Sequence, residues 1–376
     1  MQSRRKVLFL PKWYPCEGDV QHGVFVQKHA RAAALHNEVA VLHAHPSKIK
    51  SRIAKSTEGS LTEVIIYYKV TAFSAVNFSL YVISMFRGWH IIAKSGFMPD
   101  VCHVHIMTRP ILVALWLRLR HAIPFIISEH WSGYLTGLFE RQSFFKKWFM
   151  RWAMSKASLI TAVSDHLKNA MLQCRLKGSY RILPNIVETM PDAWRQQPAA
   201  GTFRFLVVAD LKDTVKNISG VIRAFGEVHR KDEQTELMIV GDGIDRDVLE
   251  KQAKPGVTFL GEKTNQEVLR IIPAAHVLIV NSRIETFSVV TLEAIFSGRP
   301  VIATRCGGPQ QFINEQNGML IEKDNAAELA SAMIRIKNNY SRYVPEKIKD
   351  SLPRLYTMDA VARQLDNCYE EVSRQR

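Results

Sequence analysis

Along the chain, apolar and polar positions alternate with two different periods. Short runs of apolar, largely β-branched residues occur at Val7–Leu10, Glu38–Leu42, Val64–Val70, Val101–His105, Phe125–Ser128 and Leu159–Val163. Between them lie longer stretches in which apolar residues return every three or four positions, the spacing of an amphipathic helix. The series breaks over Glu188–Thr202, a polar stretch holding Pro191 and Pro198, and restarts at Phe203–Val208, Leu237–Val240, Val257–Leu260, His276–Val280 and Val301–Thr304. Strands alternating with helices predict βαβ units and parallel sheets. Two such series predict two α/β domains of Rossmann-like type, over residues 1–190 and 191–350. In the segment that follows, 351–376, Met358, Val361, Leu365, Tyr369 and Val372 keep helical spacing, so this segment is expected to be an amphipathic helix that docks by one face. Ligands of open parallel sheets bind beyond the carboxyl ends of the strands, which directs attention to the turn after each strand.

Composition narrows the class. A length of 376 residues corresponds to two or three domains, and 47% hydrophobic with 23% charged residues is a globular balance. The longest apolar run, Ile111–Leu117, has seven residues before Arg118, far short of the roughly 20 that cross a bilayer. Arg4, Arg5 and Lys6 precede only Val7–Leu10 before Pro11, too little for a secretory signal, so this reads as a buried first strand. The five cysteines, at 16, 102, 174, 306 and 368, are odd in number and include no C-x-x-C pair. Neither a disulfide framework nor a zinc site is expected, and a cytoplasmic setting follows. The net charge of +15 lies wholly in the first half: residues 1–190 carry 25 Lys and Arg against 10 Asp and Glu, and the remainder 25 against 25. A basic domain beside a neutral one implies an anionic partner for the first: a phospholipid surface, a nucleic acid or an acidic substrate.

The densest chemistry lies between His276 and Ile313. The run HVLIV ends at Asn281-Ser282; Glu285 and Glu293 follow with seven residues between them, and Thr286-Phe287-Ser288-Val289-Val290 fills the turn before a helical stretch. Backbone amides at a helix start suit phosphate oxygens, and carboxylates on either side accept hydrogen bonds from hydroxyls, so sugars and phosphates together satisfy such a site. An isolated glutamate pair would read instead as a helix cap and a solvated side chain. The pair is not isolated. Glu293-Ala294, Ser297-Gly298, Pro300-Val301, Gly307-Gly308 and Asn317-Gly318 follow in order. With them the segment resembles the pattern of glycosyltransferase family 4, of the GT-B fold. The resemblance runs through nearly the whole chain: HVH at 103–105, SEH at 128–130, AVS at 162–164, LPN at 183–185, Lys216-Asn217, VGDG at 240–243 and FLG at 259–261.

The resemblance implies two Rossmann-like domains facing a cleft, with the C-terminal helix crossing back to the first. It implies transfer of a hexosyl group, with retention, from a nucleotide-diphosphate sugar, UDP- or GDP-linked, that is substrate rather than cofactor. Glu285 would then accept hydrogen bonds from the transferred sugar, with the amides of Phe287, Ser288 and Val289 beside sugar and diphosphate, and Glu293 would hold the ribose. Lys216 would neutralise the departing diphosphate, whose charge rises during transfer. His130, at the end of PFIISEH, matches the histidine beside the donor sugar, and Gly23, after PKWYPCEGDVQHG, lets backbone approach a phosphate or the acceptor. As plain surface, packing and turn residues, Lys216, His130 and Gly23 would need no ligand.

Departures from the pattern leave the donor open. Ala209-Asp210-Leu211 stands where a G-R-L turn is common, so the second cation falls to Lys212 or another residue; Thr286 and Ser288 replace glycines, and Gln311 replaces an acid. No metal is expected. Asp245-Arg246-Asp247 reads as acids at a helix start, and His103 and His105 share a strand face without an evident third ligand. In RQSFFKKWFMRWAMSK, 141–156, Phe144, Phe145, Trp148, Phe149 and Trp152 form one helical stripe among Arg141, Lys146, Lys147, Arg151 and Lys156. It suits an anionic membrane interface or the protein's own core equally. The expectation is a glycosyltransferase of cell-surface polysaccharide or lipopolysaccharide synthesis with a glycan or lipid-linked acceptor, cytoplasmic and peripheral on the inner face of the membrane. The alternatives are a sugar-nucleotide epimerase of the same architecture and a basic nucleic-acid-binding module.

Overall fold

The run Val7–Leu10 is buried on both sides, so it needs neighbours on both edges and helices on both faces. The computed structural model, which describes residues 4–19, 21–49, 51–188, 198 and 201–374, places it in β1 (Lys6–Pro11), between β2 (Glu38–Ser47) and β5 (Val101–His105). The other strands of this eight-stranded sheet are β3 (Arg52–Glu58), β4 (Leu61–Lys69), β6 (Phe125–Glu129), β7 (Leu159–Ala162) and β8 (Tyr180–Ile182), in the order β3-β4-β2-β1-β5-β6-β7-β8. All pairs are parallel except β3 with β4. Helices α1 (Val24–His36), α2 (Ser74–Lys94), α3 (Ile111–His121), α4 (Phe144–Lys156) and α5 (Asp165–Gln173) connect them. Ser143 and Ser164 cap α4 and α5, each accepting from a backbone N–H one turn on.

The second series forms a six-stranded, all-parallel sheet from β9 (Phe203–Val208), β10 (Thr235–Val240), β11 (Val257–Gly261), β12 (Val277–Val280), β13 (Val301–Thr304) and β14 (Gly318–Ile321). Its order is β11-β10-β9-β12-β13-β14, the doubly wound Rossmann arrangement. The helices are α6 (Asp213–Lys216), α7 (Ile218–Lys231), α8 (Arg246–Gln252), α9 (Asn265–Ile271), α10 (Val289–Phe296), α11 (Ala326–Asn338) and α12 (Pro345–Asp350).

Two compact units result, 1–186 with 355–376, and 187–354. The boundary expected at 190/191, and most of the polar stretch around it, lies outside the described residues. The last helix, α13 (Met358–Ser373), belongs to the first unit, where Val361, Leu365, Tyr369 and Val372 join Val26, Ala30 and Ala33 of α1 in one buried cluster. Inside that cluster the Tyr369 hydroxyl lies 2.8 Å from His103 Nδ1, while His103 Nε2 lies 2.7 Å from Ser128 Oγ. Among the described residues no helix is long and apolar enough to cross a membrane.

Candidate functional site

In the second sheet the strand order reverses between β9 and β12. Crossovers leave these neighbours in opposite directions, so their carboxyl ends part and open a crevice. A cavity of about 130 Å³ lies there, lined by Val207–Ala209, Lys216, Ile279–Ser282, Glu285 and Ser288–Val290.

Lys216 is the last residue of the single-turn α6, which Asn217 ends in left-handed conformation (φ 49°). The loop is tied to the turn after β12. The Asn281 amide donates to Asn217 O at 3.0 Å, and Arg283 N–H donates to Val215 O at 2.8 Å. The Arg283 guanidinium spans Asp324 Oδ1, Asp213 O and Asn217 Oδ1 at 2.7, 2.6 and 3.1 Å. Thus braced, Lys216 Nζ reaches Glu285 Oε1 at 2.5 Å, and Ser282 Oγ donates to the same oxygen at 2.8 Å. Glu285 is no solvated cap: its N–H donates to Cys306 O at 3.1 Å, and its carbonyl accepts from Gly308 N–H at 2.9 Å.

Helix α10 starts at the cavity. Its N-cap is Ser288, at φ 72°, with no side-chain cap on the first turn, so the positive end of the helix is left facing the cavity. Serine thus occupies the left-handed conformation that glycine adopts most readily, and its hydroxyl lies 2.8 Å from Thr291 Oγ1. Phe287 is buried edge-on to Phe312, with ring centroids 5.1 Å apart. Its backbone rests on Gly308, where a Cβ would come within 2.6 Å of it. Close approach therefore explains the glycine at 308. Glu293, one face of α10 further on, is buried and accepts from Asn265 Nδ2 at 3.0 Å.

Asp210 and Lys212 are both exposed. The Gly241–Gly243 loop lies flat on their turn, since a Cβ on Gly241 would come within 1.8 Å of Ala209 O. Asp245 Oδ2 accepts from Asp213 N–H at 2.8 Å, which gives this acid of the Asp245-Arg246-Asp247 sequence a role inside the loop. Arg283, which the motifs did not single out, is the guanidinium that braces the Lys216 loop.

The first unit carries Gly23 and His130. Gly23 caps α1 at φ 82°, and a Cβ there would meet Trp13 backbone at 2.4 Å, so the α1 start is pressed onto the turn after β1. His130, buried just after β6, packs between Phe25 (4.5 Å) and His105 (6.0 Å), ring centroid to centroid. The expectation that His105 lacks further ligand-type neighbours is corrected. Nitrogens of His29, His105 and His130, from three separate elements, lie within 4.8 Å of one another, and Cys16, His43 and His45 form a similar group. Burial pushes His29 and His43 down to about 4 and His103, His105 and His130 well below the usual imidazole range. They are neutral, the form that ligates metals. The same burial pushes Glu129 up to about 7, against hydrogen bonds from Met107 N–H and the Tyr134 hydroxyl.

On α4 the aromatic stripe faces outward. Phe144, Phe145 and Trp148 are 71%, 79% and 57% exposed, while Met150, Ala153 and Met154 make the buried face. Core packing therefore does not account for the stripe.

Two families match the chain: "Glycosyltransferase Family 4" over residues 22–190 and "Glycosyl transferases group 1" over residues 202–339. An uncharacterized glycosyltransferase of Methanocaldococcus jannaschii is 28% identical over 268 residues, covering 69% of this chain and 71% of that protein. Among solved structures, sucrose-phosphate synthase of Thermosynechococcus elongatus superposes with a TM-score of 0.77 at 18% identity, covering 99% of this chain and 100% of that one. Anabaena HepE in complex with UDP-glucose superposes at 0.70 and 15% identity, covering 97% and 99%. At these identities the structural likeness is one of fold, the GT-B arrangement of two parallel-sheet α/β domains.

Proposed function

Because the chain belongs to the group 1 glycosyltransferases of family 4 and is a glycosyltransferase, we propose that it transfers a hexosyl group, with retention, from a nucleotide-diphosphate sugar to a glycan or lipid-linked acceptor of cell-surface polysaccharide. The observation that carries this reading is the Lys216–Glu285 pair at the mouth of α10. A fixed ammonium, a carboxylate and an uncapped helix start line one cavity.

In this reading the diphosphate lies against the amides of Phe287, Ser288 and Val289, and Lys216 turns from Glu285 toward its oxygens as charge builds on them. Glu285, released, accepts from hydroxyls of the sugar, and Glu293 holds the ribose. The family pattern assigns His130 to the donor sugar, and Gly23 admits a phosphate or the acceptor. The bond from the anomeric carbon to the phosphate oxygen breaks, the bond to the acceptor oxygen forms on the same face, and the acceptor proton passes to the departing diphosphate. No metal or cofactor enters these steps. The enzyme works at the cytoplasmic face of a membrane.

Thermal unfolding against a panel of nucleotides and nucleotide sugars tests the reading. A UDP- or GDP-linked sugar at 100 times its Kd should stabilise the chain by about 2.7 kcal/mol, and incubation should release its sugar or pass it to an acceptor. A panel with neither stabilisation nor turnover would refute it.

A further inference from the structure

The first unit has its own switch point. Strand β1 lies between β2 and β5, and beyond their carboxyl ends opens a cavity of about 720 Å³, far larger than the one in the second unit. Its lining combines two kinds of residue. Lys12, Arg109 and Lys146 bring three cations from three separate elements to one space. Tyr68, Phe78, Tyr81, Trp131, Phe149 and Met150 give it an apolar wall.

Among the described residues none of the three cations forms an ion pair: Arg109 lies over the Phe78 and Tyr81 rings, Lys12 over Trp13, and Lys146 donates to Gln142 Oε1 at 2.6 Å. Burial, with further like charge from Lys146 and Arg109, holds the Lys12 ammonium below its ordinary range although Glu129 opposes the shift. Three cations gathered at the edge of an apolar cavity repel one another, and an anion placed among them removes the repulsion.

The apolar wall continues onto the surface. Phe78 and Tyr81 of α2 and Lys146, Phe149 and Met150 of α4 line the cavity. At the starts of the same two helices stand the exposed Phe73, Val76, Phe144 and Phe145. A free sugar or a free phosphate has no use for such a path, whereas a phosphate carrying a long apolar chain needs both parts, the cations for its head and the ridge for its tail.

We infer that this cavity binds a phosphate or diphosphate ester of a long apolar chain, with Lys12, Arg109 and Lys146 on the phosphate and the α2–α4 aromatics on the chain. As the identity of the acceptor this rests on the glycosyl-transfer reading; as a binding site it stands on the cavity alone. The cavity volume exceeds what a diphosphate fills and lies within the range of sites that enclose a small-molecule ligand.

Binding to the full-length protein is measured with three probes: farnesyl diphosphate, inorganic diphosphate and farnesol. Farnesyl diphosphate should bind at least tenfold more tightly than either of the others. Lys12→Gln and Arg109→Gln should each weaken it roughly tenfold or more, the scale of one charged hydrogen bond, and should leave farnesol binding unchanged. Arg109→Lys should retain more of the affinity than Arg109→Gln. Thermal unfolding establishes that each variant is folded, and should one fail to fold, Lys146→Gln takes its place. Equal affinity for farnesyl and inorganic diphosphate, or variants that bind as the parent does, would overturn the site. Release of sugar from a nucleotide sugar by the parent, without acceptor, is read separately: turnover without farnesyl diphosphate binding overturns this inference and leaves glycosyl transfer standing, while binding without turnover does the reverse.

Discussion

Replacing Lys216 by methionine keeps the side-chain stem and removes its charge. The ammonium and the Glu285 carboxylate are 2.5 Å apart, with side chains 23% and 15% exposed. Such a pair lies between the exposed regime, where a salt bridge contributes about 0–1 kcal/mol, and the buried one, where stranding a partner costs about 3–5 kcal/mol. Glu285 keeps the Ser282 hydroxyl as a donor, so a stability loss of about 1–3 kcal/mol is expected. Turnover should fall about 10²-fold or more, equivalent to about 2.7 kcal/mol of transition-state stabilisation. The two effects separate in the double variant Lys216→Met/Glu285→Gln. Removing both charges should recover most of the stability, because no lone carboxylate remains, and none of the turnover. Urea unfolding and the initial rate of sugar release from the nucleotide sugar read the two quantities. A folded Lys216→Met protein whose kcat stays within threefold of the parent would refute the electrostatic argument.

Glu285→Gln should chiefly lower kcat, whereas Glu293→Gln should chiefly weaken nucleotide affinity; equal nucleotide affinity in both variants and the parent would remove Glu293 from the ribose. At position 288 glycine should be more stable than alanine by about 1–2 kcal/mol, since both lose the hydroxyl bond to Thr291 and only alanine keeps the cost of φ 72°. Thermal unfolding of the two variants checks this, and alanine at or above glycine would contradict the backbone argument. Glu129 is raised from 4.5 to about 7 on folding, so the folded chain holds the extra proton between those values. Its contribution is therefore fully present below pH 4.5 and is lost as pH rises through about 7. Glu129→Gln should accordingly lose less stability than the parent between pH 5 and pH 8, by on the order of 2–3 kcal/mol in chemical unfolding; parallel curves would show that the carboxyl is not shifted.

The buried strands were legible because a strand covered on both faces must be apolar throughout, as Val7–Leu10 and Val277–Val280 are. Strand β3 was not: it is an edge, its Arg52, Lys55, Ser56, Thr57 and Glu58 largely face solvent, and no apolar alternation marks it. Three-residue β8 is too short to carry a period, and β14 opens on Gly318 after Asn317, a pair that reads as a turn. At the site, spacing singled out Glu285 and Glu293, and resemblance singled out Lys216. That Lys216 and Glu285, 69 residues apart, meet depends on the adjacency of β9 and β12, and the bracing by Arg283 has no local signature. Likewise His29 occupies an ordinary helical position, and only the fold brings it to His105 and His130. The stripe on α4 shows a different limit, because periodicity reports that two faces differ without reporting which one faces water. Here the smaller and more flexible Met150, Ala153 and Met154 lie inward.

The placement of α13 fixes an order of events during synthesis. The hydrophobic cluster around Val26, Ala30 and Ala33 is closed by Val361, Leu365, Tyr369 and Val372, so the first unit to leave the ribosome is the last able to finish folding. All of residues 187–354 must be translated in between, which at ordinary elongation rates takes roughly 10–30 s. Through that interval α1 shows an uncovered apolar face and His103 lacks the Tyr369 hydroxyl. The second unit, whose strands and helices are contiguous in sequence, can meanwhile complete its own core. Substitutions in α13 should therefore act first on the yield of folded protein.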